Sequence, residues 1–161
     1  MRELAEQVGR ALKTAGVALV TAESCTGGWV AQALTSVPGA SEWFERGFVT
    51  YSNAAKEEML GVPRALLARH GAVSEETARE MALGALRHSR GTVAVAITGV
   101  AGPTGGTPAK PVGLVCFAWA TRSETRIETR HFAGDREGVR RQSVERALQG
   151  VLELLQTVSP P

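Results

Sequence analysis

The stretch Val17-Ala18-Leu19-Val20-Thr21-Ala22-Glu23-Ser24-Cys25-Thr26-Gly27-Gly28 decides how this chain folds. Residues 17–22 are mostly apolar and predict a buried strand. The two glycines end a turn, and a helix is expected over 27–36, before the break at Pro38-Gly39. A serine hydroxyl on such a strand-to-helix turn lies among free backbone N–H groups at the positive end of a helix dipole. Ser24 is therefore a candidate nucleophile, and the turn is a candidate oxyanion site.

Strand and helix patterns alternate along the rest of the chain. Further strands are predicted over 47–51, 92–98, 112–121 and 125–132, the last alternating as an edge strand does. Helices are predicted over 4–15, from the candidate cap Asn53 to 60, over 63–70, from the cap Ser74 through 86, and from 134 to 155. Strands separated by helices indicate an α/β fold, and the final hairpin makes part of the sheet antiparallel. We expect a layered α/β/α sandwich with a mixed, partly antiparallel sheet.

Length and composition fit one soluble domain. The 161 residues predict a single domain over 1–161, with 159–161 as a frayed tail. A net charge of +2 argues against a nucleic-acid binder, and no apolar run approaches the ~20 residues of a membrane span. The charged N-terminus is unlike a signal peptide, and two cysteines in unlike contexts fit a reducing compartment. We expect a cytoplasmic protein with no nucleic-acid or membrane partner.

Metal and cysteine chemistry are the first alternatives to a serine nucleophile. Cys25 and Cys116 have no partners at metal-ligand spacing, so we expect no metal and no cofactor. Cys116 lies within an apolar strand pattern and is predicted to be a core residue. Cys25 remains open, because a thiol at a helix N-terminus can be reactive but can equally point inward.

A serine nucleophile needs a base, and histidine is the usual one. The histidines His70 and His88 fall at helix ends, and His131 falls in the predicted edge strand, so none has a triad setting. Lys13 lies on the polar face of the first helix. Lys56 is the remaining candidate for the base, because it lies near a predicted strand end.

Lys56 follows the predicted strand 47–51, whose last residue is Tyr51. The carboxyl ends of neighbouring strands form the usual crevice of an α/β sheet, so both residues are expected near Ser24. A lysine desolvated beside a tyrosine hydroxyl can have a pKa low enough to accept the serine proton. The spacing also permits a solvated Lys56 paired with an adjacent glutamate, and a Tyr51 half-buried in the core.

A second glycine-rich segment follows the strand over 92–98. Backbone amides of the long loop 99–111 can surround an anion, although a flexible connection is the alternative. Three arginines at the start of the last helix are candidate phosphate ligands, and a solvated face is the simpler interpretation for at least two of them: Arg136, Arg140 and Arg141.

Five motifs together resemble one family. They are Ala22-Glu23-Ser24-Cys25-Thr26-Gly27-Gly28, Gly47-Phe48-Val49-Thr50-Tyr51-Ser52-Asn53 with Lys56, Ala72-Val73-Ser74, Thr98-Gly99-Val100-Ala101-Gly102-Pro103 and Gly134-Asp135-Arg136. This set, covering about residues 4–155, is similar to the C-terminal domain of the CinA competence/damage-inducible proteins, the nicotinamide-nucleotide amidase family. Many members carry a further N-terminal domain resembling molybdopterin-binding proteins, which is not part of this match.

The resemblance implies hydrolysis of nicotinamide mononucleotide to nicotinate mononucleotide and ammonia, in pyridine nucleotide salvage. It implies a serine nucleophile assisted by lysine and tyrosine, at Ser24, Lys56 and Tyr51. Substrate contacts are then expected from two glycine-rich turns and one arginine: Thr26, Gly27, Gly28, Thr98, Gly99, Gly102, Gly105, Gly106 and Arg140. We expect a homo-oligomer, since so small a domain can complete its pocket across a subunit interface.

Two rival functions remain at this point. One is an amidase with Cys25 as the nucleophile. The other is a non-catalytic nucleotide-sensing or protein-interaction domain linked to competence or the DNA-damage response. Turnover assays separate these three hypotheses.

Overall fold

Five strands form one sheet in the computed structural model, which describes residues 1–157. They are β1 (Leu19–Glu23), β2 (Phe44–Val49), β3 (Val93–Gly99), β4 (Leu114–Ala120) and β5 (Thr125–His131). The order is β2-β1-β3-β4-β5. Strands β2 and β3 run parallel to β1, whereas β4 runs antiparallel to β3 and β5 runs antiparallel to β4. The predicted mixed, partly antiparallel sheet is therefore confirmed.

Helices cover both faces of the sheet. They are α1 (Arg2–Ala15), α2 (Trp29–Thr35), α3 (Asn53–Leu60), α4 (Arg64–His70), α5 (Glu75–Arg87) and α6 (Arg136–Thr157), with a short 3₁₀ turn at Ala40–Glu42. One apolar core joins α1, α2 and α6 to the face that carries Leu19 and Ile97. A second core joins α3, α4 and α5 to the face that carries Val20 and Ala96. The period-2 alternation of each strand thus produces the predicted α/β/α layers.

The bounds of β2 and the cap of α3 are among the element boundaries that differ from the sequence prediction. Strand β2 begins at Phe44, three residues before the predicted start, because its half-exposed, polar sequence hides the strand pattern. Tyr51 lies beyond the end of β2. Helix α3 is capped by Ser52 rather than Asn53, since the Ser52 side chain accepts a hydrogen bond from the backbone N–H of Ala55 at 3.0 Å.

The parallel strands fix where their following turns meet. Glu23 pairs with both Val49 and Ile97, so β1, β2 and β3 end at one edge of the sheet. A glycine allows α3 and α5 to pack closely against each other on one face of the sheet. A Cβ at Gly84 would lie 2.1 Å from the carbonyl oxygen of Leu60, so no larger residue allows this approach.

No helix within residues 1–157 is long and apolar enough to cross a membrane. The tail 159–161 lies outside the described residues.

Candidate active site

Two residues from the turns after β1 and β2 meet at this edge of the sheet. Lys56 Nζ lies 2.9 Å from Ser24 Oγ. The Lys56 side chain comes from the first turn of α3, and Ser24 comes directly after β1. Both are buried, with Lys56 only 1% exposed. The structure therefore brings together the predicted nucleophile and the predicted base, 32 residues apart in sequence.

The environment of Lys56 contains neutral oxygen atoms rather than a carboxylate. Its Nζ donates to the carbonyl oxygens of Thr50 at 2.8 Å and Tyr51 at 3.2 Å, in addition to its contact with Ser24. Burial lowers the pKa of Lys56 from 10.5 to about 8, because the charged form is desolvated. The alternative of a solvated Lys56 paired with a neighbouring glutamate is wrong.

This geometry suits a proton transfer. In the neutral amine, two N–H groups donate to the two carbonyl oxygens, which leaves the lone pair directed at Ser24. The Ser24–Lys56 separation is within hydrogen-bond reach, as a general base requires. The buried amine can therefore accept the Ser24 proton without first displacing another partner.

Tyr51 contributes to this pair through its backbone. Its carbonyl oxygen lies 3.2 Å from Lys56 Nζ and 3.4 Å from Ser24 Oγ. Its side chain is 61% exposed, and its hydroxyl accepts a hydrogen bond from Arg136 Nη2 at 3.2 Å. The hydroxyl therefore contacts Arg136 rather than Lys56. The alternative of a Tyr51 side chain half-buried in the core is also wrong. The reason is that β2 is an edge strand, so its end is left uncovered.

Glu23 is the residue that sequence reasoning missed. Its buried carboxylate accepts hydrogen bonds from Thr26 Oγ1 at 2.7 Å and from the backbone N–H groups of Val30 and Ala31 at 2.8 and 3.0 Å. It thus occupies the N-terminus of α2, where we expected amides free for an anion. An acidic residue shortly before a predicted helix start was the available signal.

Some amides of the Ser24 turn remain available. Gly27 donates its N–H to the Ser24 carbonyl oxygen at 3.0 Å, whereas the N–H groups of Thr26 and Gly28 have no acceptor within residues 1–157. Gly27 and Gly28 have φ values of 59° and 105°, which favour glycine. The turn therefore retains donors for an oxyanion although Glu23 caps the helix.

The hydroxyls of the two predicted threonines are already engaged. Thr26 is bound to Glu23, and Thr98 Oγ1 donates to the Ala72 carbonyl oxygen at 2.8 Å. Both side chains are buried. Their contacts hold the turn after β1 and join the end of β3 to the loop before α5, so any contact that they make with a substrate comes from their backbone groups.

The glycines of the second loop fall into two groups. Gly99 is packed closely, because a Cβ there would lie 2.9 Å from the Leu114 carbonyl oxygen. Gly102 is buried, and its own carbonyl oxygen accepts from Arg136 Nη1 at 2.7 Å. Gly105 and Gly106 are exposed. Their predicted contacts with a substrate remain predictions.

Cys25 points into the core, where its thiol is buried. Burial raises the pKa of Cys25 to about 12, because the thiolate is desolvated. Burial likewise raises the pKa of Cys116. A buried thiol with a raised pKa is a poor nucleophile at neutral pH, and Ser24 rather than Cys25 contacts Lys56, so both observations favour Ser24 as the nucleophile. No cluster of His, Cys, Asp or Glu able to hold a metal occurs in the part of the chain that the structure describes.

Arginines of α6 bind the loops around the site. Arg140 donates through Nε to the Cys25 carbonyl oxygen at 3.0 Å and through Nη2 to that of Thr26 at 3.2 Å, and it lies over the Trp29 ring. Arg136 contacts the loops after β2 and β3. Helix α6 thus holds the turns that follow all three parallel strands.

We expect Glu23→Gln to destabilise the fold. Glutamine offers one acceptor oxygen in place of two and no charge, so at least one of the three donors loses its partner near the α2 dipole. Hydrogen bonds to a charged group contribute about 1.5–3 kcal/mol each, so the free energy of unfolding should fall by about 3 kcal/mol. Urea denaturation measures this change.

Glu58→Gln is the control for that variant, because Glu58 is exposed on α3. Its free energy of unfolding should stay within about 0.5 kcal/mol of the wild type. Equal stability of the Glu23 and Glu58 variants would contradict the role given to the buried carboxylate.

Known proteins resemble this chain over most of its length. The family model described as the CinA C-terminal domain matches residues 1–155. The chain is 57% identical over 150 residues to a protein of Escherichia coli (strain K12) named nicotinamide-nucleotide amidohydrolase PncC, covering 92% of this chain and 91% of that one. It is 54% identical over 151 residues to a Pseudomonas putida protein of the same name, covering 94% of each.

A solved structure extends this likeness to the fold. A crystal structure of a competence-damaged protein (CinA) superfamily protein from Klebsiella pneumoniae 700603 is 41% identical, with a TM-score of 0.94. It covers 97% of this chain and 98% of that one. The family model matches nearly the whole chain, the named relatives are more than 50% identical to it, and the chain belongs to the CinA C-terminal domain family.

Proposed function

We propose that this chain is an amidohydrolase that converts nicotinamide mononucleotide to nicotinate mononucleotide and ammonia, in pyridine nucleotide salvage. The observation that carries the proposal is the 2.9 Å contact between Lys56 Nζ and Ser24 Oγ at the carboxyl edge of the parallel strands. The identity of the substrate is inferred from the relatives, since proteins 57% and 54% identical to this chain are named nicotinamide-nucleotide amidohydrolase.

The proposed reaction has two halves. Ser24 Oγ attacks the amide carbon while Lys56 takes its proton, and the C–N bond breaks as Lys56 returns that proton to the departing ammonia. Water then attacks the acyl ester while Lys56 takes a proton from it, and the ester C–O bond breaks as Lys56 returns that proton to Ser24 Oγ, which releases nicotinate mononucleotide. The Tyr51 carbonyl orients Lys56 throughout. The free amides of Thr26 and Gly28 stabilise the oxyanion, and each such donor contributes roughly 3 kcal/mol.

The purified protein tests this proposal directly. We expect it to release ammonia from nicotinamide mononucleotide and to act far more slowly on free nicotinamide and on NAD. Free nicotinamide serves as the control, since it carries the same amide without ribose or phosphate. Binding of the mononucleotide without ammonia release would contradict the proposal and favour a nucleotide-sensing domain.

We expect kcat/KM to rise with pH through the pKa of Lys56, about 8. Below that value Lys56 is an ammonium ion and cannot accept the serine proton, so kcat/KM should fall about tenfold for each pH unit below it. Rates measured between pH 6 and 10 give the profile. The substrate phosphate titrates near pH 6, well separated from this step. A flat profile between pH 7 and 9 would contradict Lys56 as the base.

A further inference from the structure

Arg136 carries a positive charge that no carboxylate neutralises. It is the first residue of α6, its side chain is exposed, and it forms no ion pair within residues 1–157. Its two hydrogen bonds go to neutral oxygens, the Gly102 carbonyl at 2.7 Å and the Tyr51 hydroxyl at 3.2 Å. A guanidinium has five N–H donors, so Arg136 keeps both its charge and spare donors.

The acidic residues beside Arg136 are engaged elsewhere. Asp135 Oδ1 accepts from the backbone N–H of Gly138 at 2.8 Å and caps the helix. Glu137 pairs with Arg141 at 3.5 Å. The charge of Arg136 therefore faces the loops of the active-site edge, which offer it only neutral groups.

Tyr51 links this charge to the nucleophile. Its carbonyl oxygen lies 3.4 Å from Ser24 Oγ, and its hydroxyl holds Arg136. The guanidinium thus lies one tyrosine side chain away from the reacting centre. Because the Tyr51 hydroxyl accepts from Arg136, its own proton remains free to donate to a further group.

We propose that Arg136 and the Tyr51 hydroxyl form the subsite for the phosphate of the substrate, a proposal that rests on the function given above. When the amide of the substrate lies at Ser24, the pyridine ring and the ribose separate this amide from the phosphate. The tyrosine ring likewise separates the Tyr51 carbonyl, which lies near Ser24, from the Tyr51 hydroxyl, which binds Arg136. A guanidinium binds phosphate through two parallel hydrogen bonds, and the phenol adds a third donor. These contacts with the phosphate favour nucleotides over nucleosides and orient the amide of the substrate.

Arg140, the arginine predicted from the sequence to contact the substrate, has a different role in this proposal. Its Nε and Nη2 are bound to the carbonyl oxygens of Cys25 and Thr26, and it is half-buried over Trp29. These contacts position the Ser24 turn. Loss of Arg140 should therefore lower turnover of phosphorylated and unphosphorylated substrates alike.

Paired substrates test the assignment. We expect Arg136→Gln to lower kcat/KM for nicotinamide mononucleotide roughly 30- to 100-fold and to change kcat/KM for nicotinamide riboside less than about threefold. Tyr51→Phe should reduce only the mononucleotide rate, by roughly three- to tenfold. Arg140→Gln should reduce both rates by the same factor. Arg122→Gln is the control, because Arg122 lies in the β4–β5 turn at the opposite end of the sheet.

Ribose 5-phosphate provides a test that does not require turnover. Titrations followed by NMR should show binding to the wild type and to Arg122→Gln, and at least ~30-fold weaker binding to Arg136→Gln. If the wild type binds ribose 5-phosphate but hydrolyses no mononucleotide, the proposed function fails and the phosphate subsite stands. No binding by the wild type, unchanged binding by Arg136→Gln, or an equal loss for both paired substrates would overturn the subsite.

Discussion

Ser24→Ala should abolish ammonia release from nicotinamide mononucleotide, lowering kcat by at least ~10⁴-fold. Removing the nucleophile of a serine hydrolase leaves only the contributions of substrate binding and oxyanion stabilisation. The fold should survive, because the change deletes one buried oxygen whose partners are Lys56 and the Tyr51 carbonyl. The free energy of unfolding should change by about 1 kcal/mol or less. An ammonia-release assay and urea denaturation on the same preparation measure both effects.

Cys25→Ala is the matched control for this experiment, since it removes the neighbouring nucleophile. Cys25 is buried and its pKa is raised to about 12, so its loss should leave kcat within about tenfold of the wild type. Mass spectrometry of the wild type during turnover should place the acyl group on Ser24. An inactive Cys25→Ala together with an active Ser24→Ala would reverse the assignment of the nucleophile.

The meeting of Ser24 and Lys56 could be predicted because it depends on topology. Both residues follow strands that the hydrophobic pattern indicates, and parallel neighbours must end at the same edge. That argument needs only the positions of strand ends. It does not need side-chain directions, so it tolerates the error of three residues at the start of β2.

Features that depend on side-chain direction could not be predicted in this way. The Tyr51 ring turns outward to Arg136 because no strand covers β2, a fact about sheet order that the sequence pattern does not contain. The buried Glu23 carboxylate was overlooked because acidic residues are normally exposed. Its partners lie in the helix after the glycine turn, and only the folded turn brings them together.

Lys56→Met should lower kcat/KM about 10³- to 10⁴-fold. Methionine fills the volume of the lysine stem but cannot accept the Ser24 proton, so attack on the amide loses its base. The effect should be largest above pH 8, where wild-type Lys56 is the free amine. The pH–rate profile of the variant should also lose the ionisation near 8. Lys13→Met, an exposed lysine paired with Glu42, is the control and should keep wild-type kinetics.

The stability of Lys56→Met relative to the wild type should depend on pH. The folded-state pKa of Lys56, about 8, lies below its unfolded value of 10.5, so between these pH values the unfolded chain binds more protons. Raising the pH through this window therefore stabilises the wild type, by about 3 kcal/mol in total, whereas the variant lacks this gain. Below pH 8 the wild type is destabilised by the buried ammonium ion of Lys56. The variant is destabilised instead by the two carbonyl oxygens that lose their donor, and these two losses of stability offset each other. The two proteins should thus differ little in urea denaturation at pH 7, and the wild type should be more stable at pH 10. A difference that is the same at both pH values, as expected for Lys13→Met, would mean that Lys56 is not held as a buried amine, and the proposed base would be lost with it.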